Sequence, residues 1–152
     1  MCHGPYTRAM PADLALKAMN GVHRLALRLS GGRLGYDAMG MPVLELTTTG
    51  RRSGQRRSVM LTSPLSDDGH LVVVASRGGD DRHPAWFLNL RDDPRVEVSV
   101  RGGAPQPMTA HVATAQERAL MWPLIATRHR NYEGYQQRTA REIPLVVLLP
   151  RG

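Results

Sequence analysis

The sequence predicts an α+β domain in which about six short, mostly antiparallel strands form a small barrel with helices at its periphery. Three observations carry this expectation. Short alternating or fully apolar segments follow one another closely, joined by turn sequences such as Asp67-Asp68-Gly69 and Gly102-Gly103. Helical periodicity is confined to one stretch near the N-terminus and shorter stretches later. The 152 residues, 41% hydrophobic and 22% charged, have the size and balance of one soluble domain with its own core. No repeat or low-complexity linker divides them, so residues 1–152 are expected to form a single domain, with a helix over 12–30 and the barrel over 42–150.

Leu14, Ala15, Ala18, Met19, Val22, Leu25, Ala26 and Leu29 recur at helical spacing, which predicts the helix over 12–30 with one apolar stripe. Lys17, Asn20, Arg24 and Arg28 fall on its other side, and Ser30-Gly31-Gly32 stops it. Two readings stand for this helix: one docked on the domain by its stripe, and one resting its basic amphipathic surface on an anionic membrane. Residues 43–49 are rich in β-branched side chains and 57–65 alternate, so both are expected strands. Residues 71–75 form a continuous apolar run, the pattern of a buried strand. Residues 84–90 read as a short helix opened by Pro84 and stopped by Asp93-Pro94. Val96, Val98 and Val100 alternate with polar residues, and residues 108–113 read as their antiparallel partner across a Gly102-Gly103 turn. Thr114 followed by Glu117 is a capping-box pattern that opens a helix to Ala126, with Pro123 expected to kink it. Tyr132 and Tyr135, three apart in the polar segment 128–141, would share one helix face. Residues 144–149 form the last strand.

Several chemistries are excluded. Cys2 is the sole cysteine, which removes internal disulfides and cysteine-based metal sites. The six histidines never fall at His-x-x-x-His spacing, and no dinucleotide fingerprint, Walker loop or nucleophile elbow is present. No apolar run is long enough to span a bilayer and the N-terminus lacks a signal h-region, so a cytoplasmic protein is expected. The net charge of +7 rests almost wholly on arginine, Lys17 being the only lysine. Composition leaves codon bias and an anionic partner equally open, so the placement of the arginines must decide.

Placement is informative at Thr47-Thr48-Thr49-Gly50-Arg51-Arg52-Ser53-Gly54-Gln55-Arg56-Arg57. Four arginines lie in seven residues between two expected strands, with no acidic residue from Gly50 to Leu65. Such a loop offers guanidinium forks, a Ser53 hydroxyl and backbone N–H groups to one anion. Nucleic-acid binding would use the same arginines beside aromatic platforms, but no aromatic residue lies between Tyr36 and Trp86. No nucleic-acid partner is therefore expected. A second segment, Ala75-Ser76-Arg77-Gly78-Gly79, leaves the buried strand as a glycine loop and leads to the helix carrying Trp86, Phe87 and Asn89.

The pairing of T-T-G-R-R-S-G-x-x-R with A-S-R-G-G…P-x-W-x-x-N-L resembles the deazaflavin-dependent nitroreductase family of split β-barrel flavoproteins, from about Leu14 to Pro150. The resemblance implies coenzyme F420, an 8-hydroxy-5-deazaflavin with a phosphate and a polyglutamate tail. It implies that Arg51, Arg52 and Arg57 grip the tail, with Ser53 in the same loop and Arg56 at the rim. It places Ser76, Arg77 and Gly78 at the deazaflavin ring and phosphate, and Trp86 and Asn89 on the ring-side helix. Tyr132 and Tyr135 match two of three acceptor-side tyrosines, His129 replacing the first, so Ser76, His129, Tyr132 and Tyr135 are the candidate catalytic residues. Thr62 and Met60 depart from the aromatic and proline of the drug-activating members, which favours quinones or other conjugated acceptors over nitroimidazoles. The implied function is hydride transfer from reduced F420 to a quinone, enone or nitroaromatic acceptor, by a monomer or homodimer, with peripheral membrane contact through 12–30 as an open reading. The alternatives are an FMN-dependent split-barrel reductase or oxidase and a non-catalytic F420 carrier. FMN, with one phosphate and no tail, needs fewer arginines than the cluster provides.

Overall fold

The computed structural model describes residues 37–38 and 40–151. The helix expected over 12–30 and Cys2 lie outside the described residues. Eight strands are present among the described residues: β1 (Asp37–Ala38), β2 (Met41–Thr49), β3 (Arg56–Thr62), β4 (Leu65–Asp67), β5 (His70–Val74), β6 (Arg95–Val100), β7 (Gln106–Val112) and β8 (Leu145–Pro150). They join in the order β1–β2–β6–β7–β8–β5–β4, with β3 on β2 as well, and every pair is antiparallel. The helices are α1 (Ala85–Asp92), α2 (Ala115–Arg128) and α3 (Arg130–Gln137), and a 3₁₀ turn spans Arg77–Gly79.

The continuous apolar run of β5 has a two-sided cause. Leu71 and Val73 face a core shared with Leu44, Leu46, Val98 and the α1 residues Trp86 and Phe87. Val72 and Val74 face a second core with Ile125, Tyr132 and Ile143, so alternation along β5 places apolar residues on both faces. β2 lies between β3 and β6, with Leu46 opposite Val59 on one side and Val98 on the other. The buried Ser63 ties the end of β3 to β5. Its N–H donates to the Pro42 carbonyl at 3.0 Å, and its hydroxyl accepts from the Val72 N–H at 3.2 Å.

Two expectations are corrected. The strand expected over 57–65 breaks at Ser63 and Pro64, because Ser63 is bonded to β2 and β5 and proline has no ladder donor. With the short β1, this gives eight strands in place of six. The turn expected at Gly102-Gly103 is centred one residue earlier: Arg101 (φ 51°) and Gly102 (φ 75°) are both left-handed, and the Gly103 N–H donates to the Val100 carbonyl at 2.8 Å. Pro123 sits inside α2, which continues to Arg128.

The capping box is complete. Thr114 Oγ1 accepts from the Glu117 N–H at 3.2 Å, Glu117 Oε1 accepts from the Thr114 N–H at 2.7 Å, and His111 Nε2 lies 2.8 Å from the same oxygen. The backbone bond to Thr114, then the bond to His111, hold the Glu117 carboxyl below its usual range. A lowered carboxylate pKa stabilises the fold above about 4.3, the ordinary glutamate value, and that contribution disappears as pH falls through the lowered value. Urea unfolding of Glu117→Gln should lose this acid-side slope, and Thr114→Ala should cost about 1 kcal/mol at neutral pH.

Candidate functional site

The loop between β2 and β3 is closed by its own backbone. The Gly50 N–H donates to the Gln55 carbonyl at 2.7 Å, the Gly54 N–H to the Gly50 carbonyl at 2.8 Å, and the Gln55 N–H to Ser53 Oγ at 3.1 Å. A Cβ on Gly50 would lie 2.7 Å from Ser53 Oγ, so the tight closure favours glycine there. Asn89 of α1 fastens the loop from across the fold. Its Oδ1 accepts from the Arg51 N–H at 3.2 Å and from Arg51 Nη1 at 2.9 Å, while its Nδ2 donates to Thr48 Oγ1 at 3.2 Å. Asn89 and Thr48 are both buried.

Between loop and helix lies a cavity of about 450 Å³ whose lining includes Arg51, Arg52, Ser53, Arg57, Trp86 and Asn89. Asn89 is neutral, so its bonds orient Arg51 without cancelling the charge. Among the described residues no carboxylate is paired with Arg51, Arg52 or Arg57. Arg56 differs: it lies 3.7 Å from Glu97 and donates to Thr49 Oγ1 at 2.7 Å, as a rim charge should. Ala85 and Trp86 bring the first turn of α1, the positive end of its dipole, to the same cavity. Three uncompensated guanidinium groups around one concavity, with an indole wall, suit an extended anion attached to a flat apolar body. Replacing Asn89 with alanine should leave the Thr48 hydroxyl buried without its donor and release Arg51. A stability loss of about 1–3 kcal/mol is expected, measured by denaturant unfolding.

Ser76, Arg77 and Gly78 lie outside this cavity lining. Ser76 is buried, 8% exposed, and begins the 3₁₀ turn. Arg77, Gly78 and Gly79 follow with φ of 48°, 65° and 86°, three left-handed residues in succession. The Arg77 guanidinium, its side chain only 8% exposed, is ion-paired with Asp80. Burial lowers its pKa and Asp80 opposes that shift. Arg77 is thus engaged with Asp80 and is not among the residues lining the cavity of Arg51, Arg52 and Arg57. Gly78 is exposed, with open space where a Cβ would stand.

His129, Tyr132 and Tyr135 come together at the other end of β3. Their rings meet edge to face, 6.3 Å from His129 to Tyr132 and 5.9 Å from Tyr132 to Tyr135. Tyr132 is buried, and its hydroxyl lies 3.1 Å from Thr62 Oγ1 and 3.7 Å from Met41 Sδ. Burial raises the phenol pKa against the opposing Thr62 bond, which keeps it protonated at neutral pH. His129 and Tyr135 are half-buried. At about 3.4 Å per residue, the five steps from Arg57 to Thr62 separate the arginine and tyrosine ends by roughly 17 Å. The Thr48–Asn89 and Thr62–Tyr132 contacts join residues 41 and 70 positions apart, which is why no local pattern announced them. No group of His, Cys, Asp or Glu among the described residues is arranged to hold a metal ion, and no described helix is long and apolar enough to cross a membrane.

Comparison with known proteins places this geometry among relatives. A family described as F420H(2)-dependent quinone reductase matches residues 21–150. A protein named F420H(2)-dependent quinone reductase from Mycobacterium tuberculosis is 38% identical over 136 residues, covering 86% of this chain and 89% of that protein. A solved structure described as an F420-H2 dependent reductase, FDR-A, superposes with a TM-score of 0.62 at 36% identity, over 70% of this chain and 93% of its own. Another, described as a domain-swapped dimer, gives a TM-score of 0.62 at 32% identity, over 86% of this chain and 98% of its own.

Proposed function

This chain belongs to the F420H(2)-dependent quinone reductase family, and from that premise we propose that Arg51, Arg52 and Arg57 hold the anionic tail of F420 while a quinone is reduced at the Tyr132 end of β3. When bound, reduced F420 supplies the hydride. F420 dependence in the family takes the place of the FMN alternative. The observation that carries the reading is the set of three arginines, unpaired with any described carboxylate, around one cavity. Phosphate and carboxylate groups are the natural partners of such forks. Ser53 adds a hydroxyl at the loop, and Trp86 an apolar wall. Asn89 is spent on Arg51 and Thr48, which makes it a positioning residue for the grip.

The chain's remaining tasks are orientation, exclusion of water and proton supply. The loop of Ser76 and Gly78 is the segment beside which the ring would lie, with Ser76 buried behind it and Gly78 leaving the approach open. A quinone that accepts a hydride also needs a proton. Tyr135 and His129, half-buried beside Tyr132, are placed to donate it. Tyr132, held by Thr62 and Met41, fixes the position of this ring cluster.

The test is titration of the purified protein with F420. Saturable quenching or shifting of deazaflavin fluorescence at micromolar coenzyme is expected, followed by quinone-dependent oxidation of reduced F420; an unchanged spectrum would sink the reading. The domain-swapped relative supports a homodimer, and the spacing of Lys17, Arg24 and Arg28 in the sequence supports contact with an anionic membrane at the inner face of the plasma membrane. Sedimentation and liposome flotation of full-length and truncated chains test those two points.

A further inference from the structure

Arg141 lies in the irregular segment between α3 and β8, yet its guanidinium is spent almost wholly on the loop that follows β5. Nε donates to the Asp80 carbonyl at 2.9 Å, and Nη2 donates to the carbonyls of Ser76 at 2.9 Å and Ala75 at 3.3 Å. Nη1 donates to the Ala75 carbonyl at 3.3 Å and lies 3.2 Å from His83 Nδ1. Burial first, then the charges of Arg141 and Arg91, hold His83 below its ordinary pKa, so the neutral ring can accept that bond. The fork therefore caps carbonyls at both ends of a turn containing three left-handed residues.

Few side chains could do this. The carbonyls of a loop bent this sharply point inward, away from any ladder partner, and buried carbonyls need donors. Guanidinium offers five donors in one rigid plane, whereas a lysine ammonium is a point donor on a flexible stem. The loop also packs on α3, where a Cβ on Gly79 would stand 2.8 Å from the Tyr135 carbonyl and Arg138 Nη1 donates to the Gly78 carbonyl at 3.3 Å. Gly78 itself is exposed.

We propose that Arg141 is the positioning residue of this loop, holding residues 76–80 in the conformation that keeps Ser76 buried and presents Gly78 to the coenzyme. The coenzyme half of the proposal rests on the function proposed above; the loop half does not.

Arg141→Lys and Arg141→Met in the full chain, with Arg118→Lys as comparator, separate the two. Arg118 also donates a guanidinium bond to a carbonyl, that of Ile143 at 2.8 Å, but its polar partners among the described residues are Ile143, Gln136 and Glu142 and not the loop. The Gly79 and Asp80 amides bond within the turn, to Ser76 and Arg77 carbonyls at 2.9 and 3.2 Å. In free Arg141 variants, hydrogen exchange at these amides should quicken about tenfold or more, with the β5–β8 ladder still protected. The F420 dissociation constant and coenzyme KM should rise by about tenfold, the quinone KM staying near wild type, a change comparable to losing one charged hydrogen bond. Arg118→Lys should change neither readout. Wild-type exchange at Gly79 and Asp80, a loosened loop with unchanged F420 affinity, equal weakening by Arg118→Lys, or failure of both Arg141 variants to fold would each overturn the proposal. If wild-type protein does not bind F420, the proposed function and the coenzyme half fall together, and exchange in the free protein still decides whether Arg141 holds the loop.

Discussion

Alanine at both Arg51 and Arg57 is expected to weaken F420 binding by about 100-fold or more, since a hydrogen bond to a charged group is worth ~1.5–3 kcal/mol and each 1.4 kcal/mol is a factor of ten. Both side chains line the same cavity and neither is neutralised by a described carboxylate, so their charge is available to a ligand. The single variants should differ in a second readout. Arg51→Ala keeps the backbone N–H that Asn89 Oδ1 accepts but removes the Nη1 donor to the same buried oxygen, and should also lower stability by about 1 kcal/mol. Among the described residues Arg57 makes no comparable bond, and Arg57→Ala should melt close to wild type while still binding poorly. Arg56→Ala is the control, because that side chain is already engaged with Glu97 and Thr49. Fluorescence titration at two salt concentrations checks all four variants, because exposed charge pairs are screened. Normal binding by the double variant would show the tail grip to be misassigned.

Alanine at Gly79 should be among the most disruptive single substitutions in the loop. The residue combines a φ of 86° with a site where a Cβ would lie 2.8 Å from the Tyr135 carbonyl and 3.1 Å from two Arg138 carbons. A left-handed backbone costs an alanine about 1–2 kcal/mol, and forcing a methyl into close packing adds ~1–3 kcal/mol. The obstructing atom is helix backbone, which cannot rotate aside, so the two costs should add. At about 2–4 °C per kcal/mol for a domain of this size, melting should fall by roughly 5–15 °C. Gly78→Ala separates the terms. Its φ is 65° but nothing lies within 4 Å of the added methyl, so only the backbone cost applies. Equal melting temperatures for the two variants would mean that the contact with α3 is not the main constraint.

Much of the fold could be read before any coordinates. The apolar run of β5, the alternation of Val96, Val98 and Val100, and the Thr114–Glu117 box were all legible, because each depends on neighbours a few positions apart. The arginine loop was legible for the same reason. The break at Ser63 was not, since it depends on Pro42 and Val72 meeting there in space. The low exposure of the Arg77 side chain was not legible either, because it depends on the left-handed turn that brings the guanidinium to Asp80.

Sequence alone therefore established where the strands, the capped helix and the dense positive charge lie, since periodicity and composition are local properties. Folding assigned the arginines their tasks. It left Arg51, Arg52 and Arg57 around an open cavity, turned Arg77 onto Asp80, and brought Arg141 to carbonyls 61 to 66 positions away. A guanidinium bonds to whatever carbonyl or carboxylate the rolled sheet carries within its reach, and that proximity exists only once distant strands have paired.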